Sequence, residues 1–283
     1  LDRPLDVAGL LRRSGLHAHK GLGQNFLSDP GVLRKIVLAA GLPADALVLE
    51  IGPGLGSLTR YLAQAAERVV AVELDGSLVP ILEEVAGPFG NVEIVQGNIL
   101  DLDPQVLMGG LPYYVAANIP YNITSAIIRH LLSSAVRPLR MALTVQKEVA
   151  ERICAAPGDL SLLALSVQVY GKPSIAARIP AGAFYPPPKV DSAVVRLDLY
   201  PQPRIAAGRL DAFFRLIRAG FSQKRKTLRN ALAGGLGWPA GRAEALLRAA
   251  GLDPMRRAET LTIEEWSALT NLFVDNPAES EKE

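Results

Sequence analysis

Cysteine is almost absent. Cys154 is the only one among 283 residues, which excludes an internal disulfide and a cysteine-based zinc site and leaves the side chain as a small buried hydrophobe. Histidine is nearly as scarce. His17 and His19, with Lys20, precede the Gln24-Asn25-Phe26 segment and are expected on a mobile arm that touches nucleic acid or cofactor, whereas His130 reads as structural. No metal site is expected. No apolar run reaches about 18 residues without a charge, so no membrane span is indicated. The first residues carry Asp2, Arg3, Asp6, Arg12 and Arg13 and lack the apolar core and cleavage signature of a secretory leader. A cytoplasmic protein is the expectation. Methionine is also low, with 3 against 21 prolines, a balance that fits a thermophilic source.

The length suits one full α/β domain plus a smaller appendage, given domains of roughly 100 to 200 residues. Hydrophobic residues make up 49% and charged residues 20%, the composition of a folded protein with a large core. Net charge is only +2, but its distribution is uneven. Between Arg204 and Asn230, Arg204, Arg209, Arg215, Arg218, Lys224, Arg225, Lys226 and Arg229 face the single acid Asp211. Such a concentration suits phosphate contact. The chain end, with Asp275, Glu279, Glu281, Lys282 and Glu283, is acidic and expected to fray.

Asp29-Pro30 followed by Val32, Leu33, Ile36, Val37 and Ala40 reads as an N-capped helix ending at Gly41. Strands are predicted at Leu47 to Ile51, Val69 to Val72, Val92 to Val95, Tyr114 to Ala117, Met141 to Val145, Leu163 to Tyr170 and Ser192 to Leu199. Helices follow Leu58, Leu78 and Ile123, and another is predicted over Lys147 to Ala155. This alternation predicts a mostly parallel sheet covered on both faces. Beyond Arg209 only helical spacing remains, in Leu210 to Phe221, Ala243 to Ala250 and Trp266 to Phe273, with Thr262 and Glu265 as a capping box. A catalytic domain over 1–203, whose residues 1–28 form an N-terminal arm, and a helical domain over 204–283 are therefore expected, joined near Tyr200-Pro201-Gln202-Pro203.

Glu50-Ile51-Gly52-Pro53-Gly54-Leu55-Gly56 stands where the first strand turns into its helix, and its glycines let the backbone approach a ligand. Glu73, closing the next strand, is placed to reach ribose hydroxyls. The dinucleotide fingerprint asks for Gly-x-Gly-x-x-Gly, yet Ser57 occupies the last position and Gly56 comes one residue early. S-adenosylmethionine fits better. It has a ribose for Glu73 and a cationic methionyl end that Glu50 favours, and it carries no pyrophosphate. Asn98, ending the third strand, is either a recognition group for the adenine edge or part of a Gly97-Asn98 turn.

Asn118-Ile119-Pro120-Tyr121 follows the apolar run Tyr114 to Ala117. An exocyclic amine such as adenine N6 is a poor nucleophile until acceptors draw it toward tetrahedral geometry. Asn118 offers a side-chain carbonyl, the Ile119 or Pro120 peptide offers a second acceptor, and Tyr121 can stack on an extruded base. Pro120 stiffens the turn.

With these residues the chain resembles the ribosomal RNA adenine N6,N6-dimethyltransferases, the group that includes the bacterial enzyme tied to kasugamycin sensitivity. The resemblance runs through Gly23-Gln24-Asn25-Phe26-Leu27, Glu50 to Gly56, Val72 to Asp75, Asn118 to Tyr121, Phe184 to Ser192 and Phe221 to Asn230. It implies a Rossmann-like methyltransferase domain with a small all-helical C-terminal domain, and Asn25, Leu27, Gly52, Glu73, Asn98 and Asn118 lining the S-adenosylmethionine site, beside Gly54, Gly56 and Glu50. It also implies that Asn118 and Tyr121 clamp the adenine, that Phe184 stacks on its other face, and that Lys20, Arg218, Lys224, Arg225, Lys226 and Arg229 contact RNA. Two departures stand out. The family often has Asp where this chain has Asn98, and Ile119 replaces the more frequent Leu, as in relatives acting on large-subunit RNA.

The expected activity is dimethylation of two adjacent adenosines near the 3′ end of small-subunit ribosomal RNA, by a monomer, with the assembling small subunit as partner. Three rivals are a methyltransferase for large-subunit RNA, a dinucleotide-dependent oxidoreductase of similar fold, and a non-catalytic assembly factor with a vestigial pocket.

Overall fold

The computed structural model describes residues 4–275, apart from the side chains of Lys20 and Asn122. Asp2, Arg3 and the acidic end at Glu279, Glu281, Lys282 and Glu283 lie outside the described residues. Two units are formed, one by residues up to 151 with 172–199, the other by 152–171 with the chain from 200 onward. The second unit thus takes in 152–171, a segment the sequence assigns to the first domain.

In the first unit, α1 (Val7–Arg13) starts at Asp6, whose carboxylate accepts from the Gly9 N–H at 2.8 Å. Strand β1 (Phe26–Leu27) precedes α2 (Pro30–Ala40), which has the predicted capping: Asp29 accepts from Val32 N–H at 2.9 Å, and Gly41 ends the helix at φ 55°. Then alternate β2 (Leu47–Ile51), α3 (Thr59–Ala65), β3 (Arg68–Glu73), α4 (Val79–Ala86), β4 (Val92–Gln96), α5 (Pro104–Leu107), β5 (Tyr114–Asn118), α6 (Thr124–Ser133), β6 (Arg140–Gln146) and α7 (Lys147–Ile153). After α8 (Leu162–Gln168) come β7 (Gly171–Ile179), β8 (Phe184–Tyr185) and β9 (Ser192–Leu199).

Seven strands form one sheet in the order β4-β3-β2-β5-β6-β9-β7, parallel from β4 to β6, with β9 antiparallel to β6. β1 and β8 form a separate antiparallel pair. The central strands are apolar on both faces because helices cover both. Val48, Leu49, Val69, Val70, Val115 and Ala116 have no solvent exposure. On the covering side, Leu62 of α3 is likewise fully buried, a contact worth roughly 1.5–3 kcal/mol. Strand order reverses between β2 and β5, and a crevice opens outside the carboxyl ends of two such strands. Gly52 and Asn118 end at this place.

Several sequence expectations differ from the structure. Leu163 to Tyr170, predicted as a strand, is helix α8, because Ser161 caps it by accepting from Ala164 N–H at 3.1 Å. The missed strand of the seven-stranded sheet is β7, an edge strand carrying Pro173, whose largely exposed residues give no apolar signal. Within the expected N-terminal arm, Val7, Leu10 and Leu11 pack with Phe26, Leu55, Leu78 and Ile81 in an apolar cluster.

Besides α8, the second unit contains α9 (Leu210–Gly220), α10 (Leu228–Leu236), α11 (Ala240–Ala249) and α12 (Ile263–Asp275), with Phe213 and Trp266 fully buried. The capping box forms as predicted, with Thr262 N–H on Glu265 at 2.8 Å and Glu265 N–H on Thr262 Oγ1 at 3.2 Å. The sequence reading has no helix at 228–236, where Gly234 and Gly235 dilute the helical signal. Lys224, Arg225 and Lys226 of the basic stretch lie in a turn over 222–227, and α10 begins at Leu228.

Gly235 lets α10 lie against α9. A Cβ there would stand 2.5 Å from Ala219 Cα, a backbone contact that cannot rotate away. Gly235→Ala is therefore expected to destabilise the helical unit by roughly 1–3 kcal/mol, read as a lowered midpoint in thermal unfolding. An unchanged midpoint would show that the two helices separate without cost.

Candidate active site

The cleft at the strand ends is built from the carboxylate outward. Glu73, closing β3, is 6% exposed. Its Oε2 accepts from Gly54 N–H at 2.8 Å and its Oε1 from Asp75 N–H at 2.8 Å. Gly54 can offer its N–H because it sits at φ 58°, and a Cβ there would meet the Phe26 ring at 2.9 Å. The glycine loop is thereby tied to the next strand. Burial raises the Glu73 carboxyl above its usual range, partly offset by these backbone hydrogen bonds.

Next to Glu73, Asp75 accepts from Ser77 Oγ at 2.6 Å, Ser77 N–H at 3.0 Å and Gln24 Nε2 at 2.8 Å. Burial works to raise this carboxyl, but the Ser77 and Gln24 hydrogen bonds hold it below its ordinary value. Gln24 reaches back through its Oε1 to His19 N–H at 2.7 Å. The segment before β1 is thus laced to the end of β3.

Asn118 ends β5 and donates from Nδ2 to the Asn25 carbonyl at 2.9 Å. A carbonyl only accepts, so the amide nitrogen must face Asn25 and Oδ1 is left as an acceptor. Ile119 is buried, at 1% exposure. The Pro120 carbonyl accepts from Ile123 N–H and Thr124 Oγ1, both at 3.3 Å. The Tyr121 hydroxyl pairs with Ser192 Oγ of β9 at 2.6 Å, which fixes the ring, and burial raises its pKa.

One cleft gathers Asn25, Gly52, Gly54, Glu73, Asn98, Asn118, Ile119, Pro120 and Tyr121. Leu27 and Glu50 line a smaller adjoining cavity that also touches Gly52 and Asn118. Gly56 lines neither, and at φ 84° it faces Val85 and Leu82 instead. Phe184 is also outside the cleft lining, 4% exposed in the core cluster with Leu27 and Ile36, while Tyr185 beside it is 43% exposed. Sequence reasoning gave no role to Gln24 or to Leu74, a half-exposed leucine on the cleft wall. An apolar residue after the acid that closes a strand was the available signal for Leu74.

The electrostatics select against phosphate. The Gly54 N–H, the kind of donor a glycine loop offers to pyrophosphate, is already used by Glu73, and two carboxylates stand at or beside the cleft. Glu50 is fully buried with no partner for Oε2 among the described residues. A cationic, phosphate-free ligand fits both acids, and S-adenosylmethionine has that charge pattern.

The basic surface is smaller than the sequence promises. Arg204 pairs with Glu264, Arg209 with Asp275, and Arg229 with Glu244, while Arg215 lies over the Phe273 ring. Arg218, Lys224, Arg225 and Lys226 are exposed and have no ion pair among the described residues. Lys20 opens a 3₁₀ turn.

Burial is the main reason the Glu50 carboxyl is pushed up from 4.5 to about 8, with Thr59 lowering it and Glu73 raising it further. The folded state thus binds this proton more tightly than the unfolded chain, so the stabilising contribution is present at low pH and is lost as pH climbs from 4.5 to about 8. Glu50→Gln, which keeps the neutral shape, is expected to gain stability relative to the parent over that interval. Thermal unfolding at several pH values checks this; a difference independent of pH would contradict it.

Among known proteins, the model of a family described as ribosomal RNA adenine dimethylase matches residues 15–275. A protein of Dehalococcoides mccartyi named ribosomal RNA small subunit methyltransferase A is 50% identical over 264 residues, covering 93% of this chain and 90% of the relative. A protein of the same name from Pelotomaculum thermopropionicum is 43% identical over 285 residues, covering 96% and 97%. Among solved structures, a dimethyladenosine transferase from Plasmodium falciparum superposes with a TM-score of 0.76 at 28% identity over 88% of this chain and 98% of that one. The 23S rRNA methyltransferase ErmE gives 0.71 at 29% identity over 88% and 99%. With a parallel sheet of the Rossmann-like kind, a cleft suited to a cationic nucleoside and matches of this extent, the chain belongs to the ribosomal RNA adenine dimethylase family, whose methyl donor is S-adenosylmethionine.

Proposed function

We propose that the chain dimethylates N6 of two neighbouring adenosines near the 3′ end of small-subunit ribosomal RNA, as a monomer acting in the cytoplasm on the assembling subunit. The relatives at 50% and 43% identity bear the small-subunit name. The observation that carries the chemistry is the Asn118 amide, anchored by its nitrogen on Asn25 with its oxygen left over.

When bound, S-adenosylmethionine supplies an activated methyl group on a sulfonium leaving group. Glu73 and the glycine loop would hold the donor's ribose and Asn98 its adenine edge, Asn25 and Leu27 would line the same site, and Glu50 would favour the cationic methionyl end. Asn118 Oδ1 accepts one N6 hydrogen of the extruded adenine. The Pro120 carbonyl is already occupied by Ile123 and Thr124, which leaves the Ile119 carbonyl as the second acceptor. Tyr121, steadied by Ser192, stacks on the base. Methyl transfer forms the N–C bond as the C–S bond breaks, and the nitrogen then loses a proton to water. Positioning supplies much of the rate.

Phe184 reaches the other base face in this reading only by leaving its core contacts. Arg218, Lys224, Arg225 and Lys226 supply the phosphate contacts; Arg229 contributes less because Glu244 holds it. Affinity for structured RNA is accordingly salt-sensitive.

Incubation with labelled cofactor and separated ribosomal subunits, followed by mapping, tests the assignment. Label is expected at two adjacent small-subunit adenosines, and label confined to the large subunit would sink it. Asn118→Ala is expected to slow transfer roughly hundredfold or more. Its affinity for S-adenosylhomocysteine should fall by less than about tenfold, through loss of one hydrogen bond to Asn25. Normal turnover in that variant would remove Asn118 from the clamp.

A further inference from the structure

Asn98 stands on the cleft wall and caps the 3₁₀ turn that follows β4. Its Oδ1 accepts from Leu100 N–H at 3.2 Å, and its Nδ2 donates to Asp101 Oδ2 at 2.9 Å. A backbone N–H can only donate and a carboxylate can only accept, so Leu100 holds the oxygen end of the amide and Asp101 the nitrogen end. The oxygen keeps a lone pair beyond the one Leu100 uses.

We propose that Asp101 is a positioning residue that sets the Asn98 amide so that its oxygen accepts from the 6-amino group of the cofactor's adenine. The inference rests on reading the cleft as the S-adenosylmethionine site. It also accounts for the departure at this position. An aspartate at 98 would put two carboxylates at hydrogen-bond distance, where each disfavours the other's ionisation. Asn98 and Asp101 together present one adenine acceptor without that repulsion. Asp101 is exposed and lies outside the cleft lining, so it acts through Asn98 rather than on the ligand.

Titration calorimetry of the full chain with S-adenosylhomocysteine, and with its deaminated analogue bearing a 6-carbonyl, tests this. The parent should prefer the amino ligand. Asp101→Ala is expected to bind it roughly 3- to 10-fold more weakly, and its preference over the deaminated analogue should narrow, because an amide held only by the Leu100 N–H turns its nitrogen to the carbonyl more readily. Asn98→Asp should lose more than about tenfold through the carboxylate pair. Adding Asp101→Asn to Asn98→Asp restores a donor opposite an acceptor and should bring affinity back to within about threefold. A merely structural role predicts no change in ligand preference and no rescue.

Parent-like affinity and preference in Asp101→Ala would overturn the proposal, as would a double variant no tighter than Asn98→Asp. If Asn98→Ala itself bound like the parent, the reading of the cleft would fail. A loss in Asn98→Ala with none in Asp101→Ala would defeat the positioning role alone.

Discussion

The Glu73 carboxylate is the joint on which the cleft depends. One oxygen holds Gly54 N–H and the other holds Asp75 N–H, so a single buried side chain fixes the glycine loop after β2 and the turn after β3. Charged hydrogen bonds of this sort are stronger than neutral ones, and burial keeps water from competing for them. Asp75, turned by this contact, in turn receives Gln24 and so secures the segment ahead of β1. Two carboxylates, Glu73 and Asp75, thus join the glycine loop, the end of β3 and the segment ahead of β1, one strand away from the point where strand order reverses.

That arrangement also sets the charge of the ligand. A glycine loop whose Gly54 N–H is already spent on an acid has less to offer a pyrophosphate, whatever its resemblance to a dinucleotide fingerprint. Glu50 strengthens the preference. It is buried without a partner for Oε2 among the described residues, and its high proton affinity falls when a cation comes near. Across the cleft, Asn118 is held by its nitrogen, leaving an acceptor for an amine. Acids on one wall and oriented carbonyls on the other describe a site for a cationic donor and an amine acceptor.

The sequence displayed most of this wherever the physics was local. Asp29 and Gly41 bound α2 as their side-chain chemistry requires, and apolar runs covered on both faces located β2, β3, β5 and β6. Glu73, Asn98 and Asn118 meet in one cleft because each ends, or lies beside, a strand whose direction the alternating pattern already implied, while Asn25 joins them from the short strand β1 that the pattern does not show. What stayed hidden was tertiary. Leu162 to Gln168 is an apolar run too short to distinguish helix from strand until the Ser161 cap is seen. β7 has no apolar pattern because it is an edge strand. Phe184 and Tyr185 are adjacent aromatics, and only packing reveals that the first is in the core and the second in solvent. Nor could composition show that Arg204, Arg209 and Arg229 would be taken up by acids distant in sequence.

The helical unit contributes a compact basic turn, 222–227, at the head of α10. Its cations remain exposed while neighbouring arginines are consumed in ion pairs, so the positive surface is concentrated. Such a patch contributes sequence-independent phosphate affinity, whereas the choice of reacting atom belongs to the cleft of the first unit. Everything in that cleft returns to Glu73. The most direct measurement is the affinity of Glu73→Gln for S-adenosylhomocysteine by titration calorimetry, since glutamine keeps the shape but sets an amide nitrogen against one of the two backbone N–H groups. A weakening of roughly 10- to 100-fold, with the sheet still folded by circular dichroism, is the predicted result; affinity equal to the parent's would contradict it.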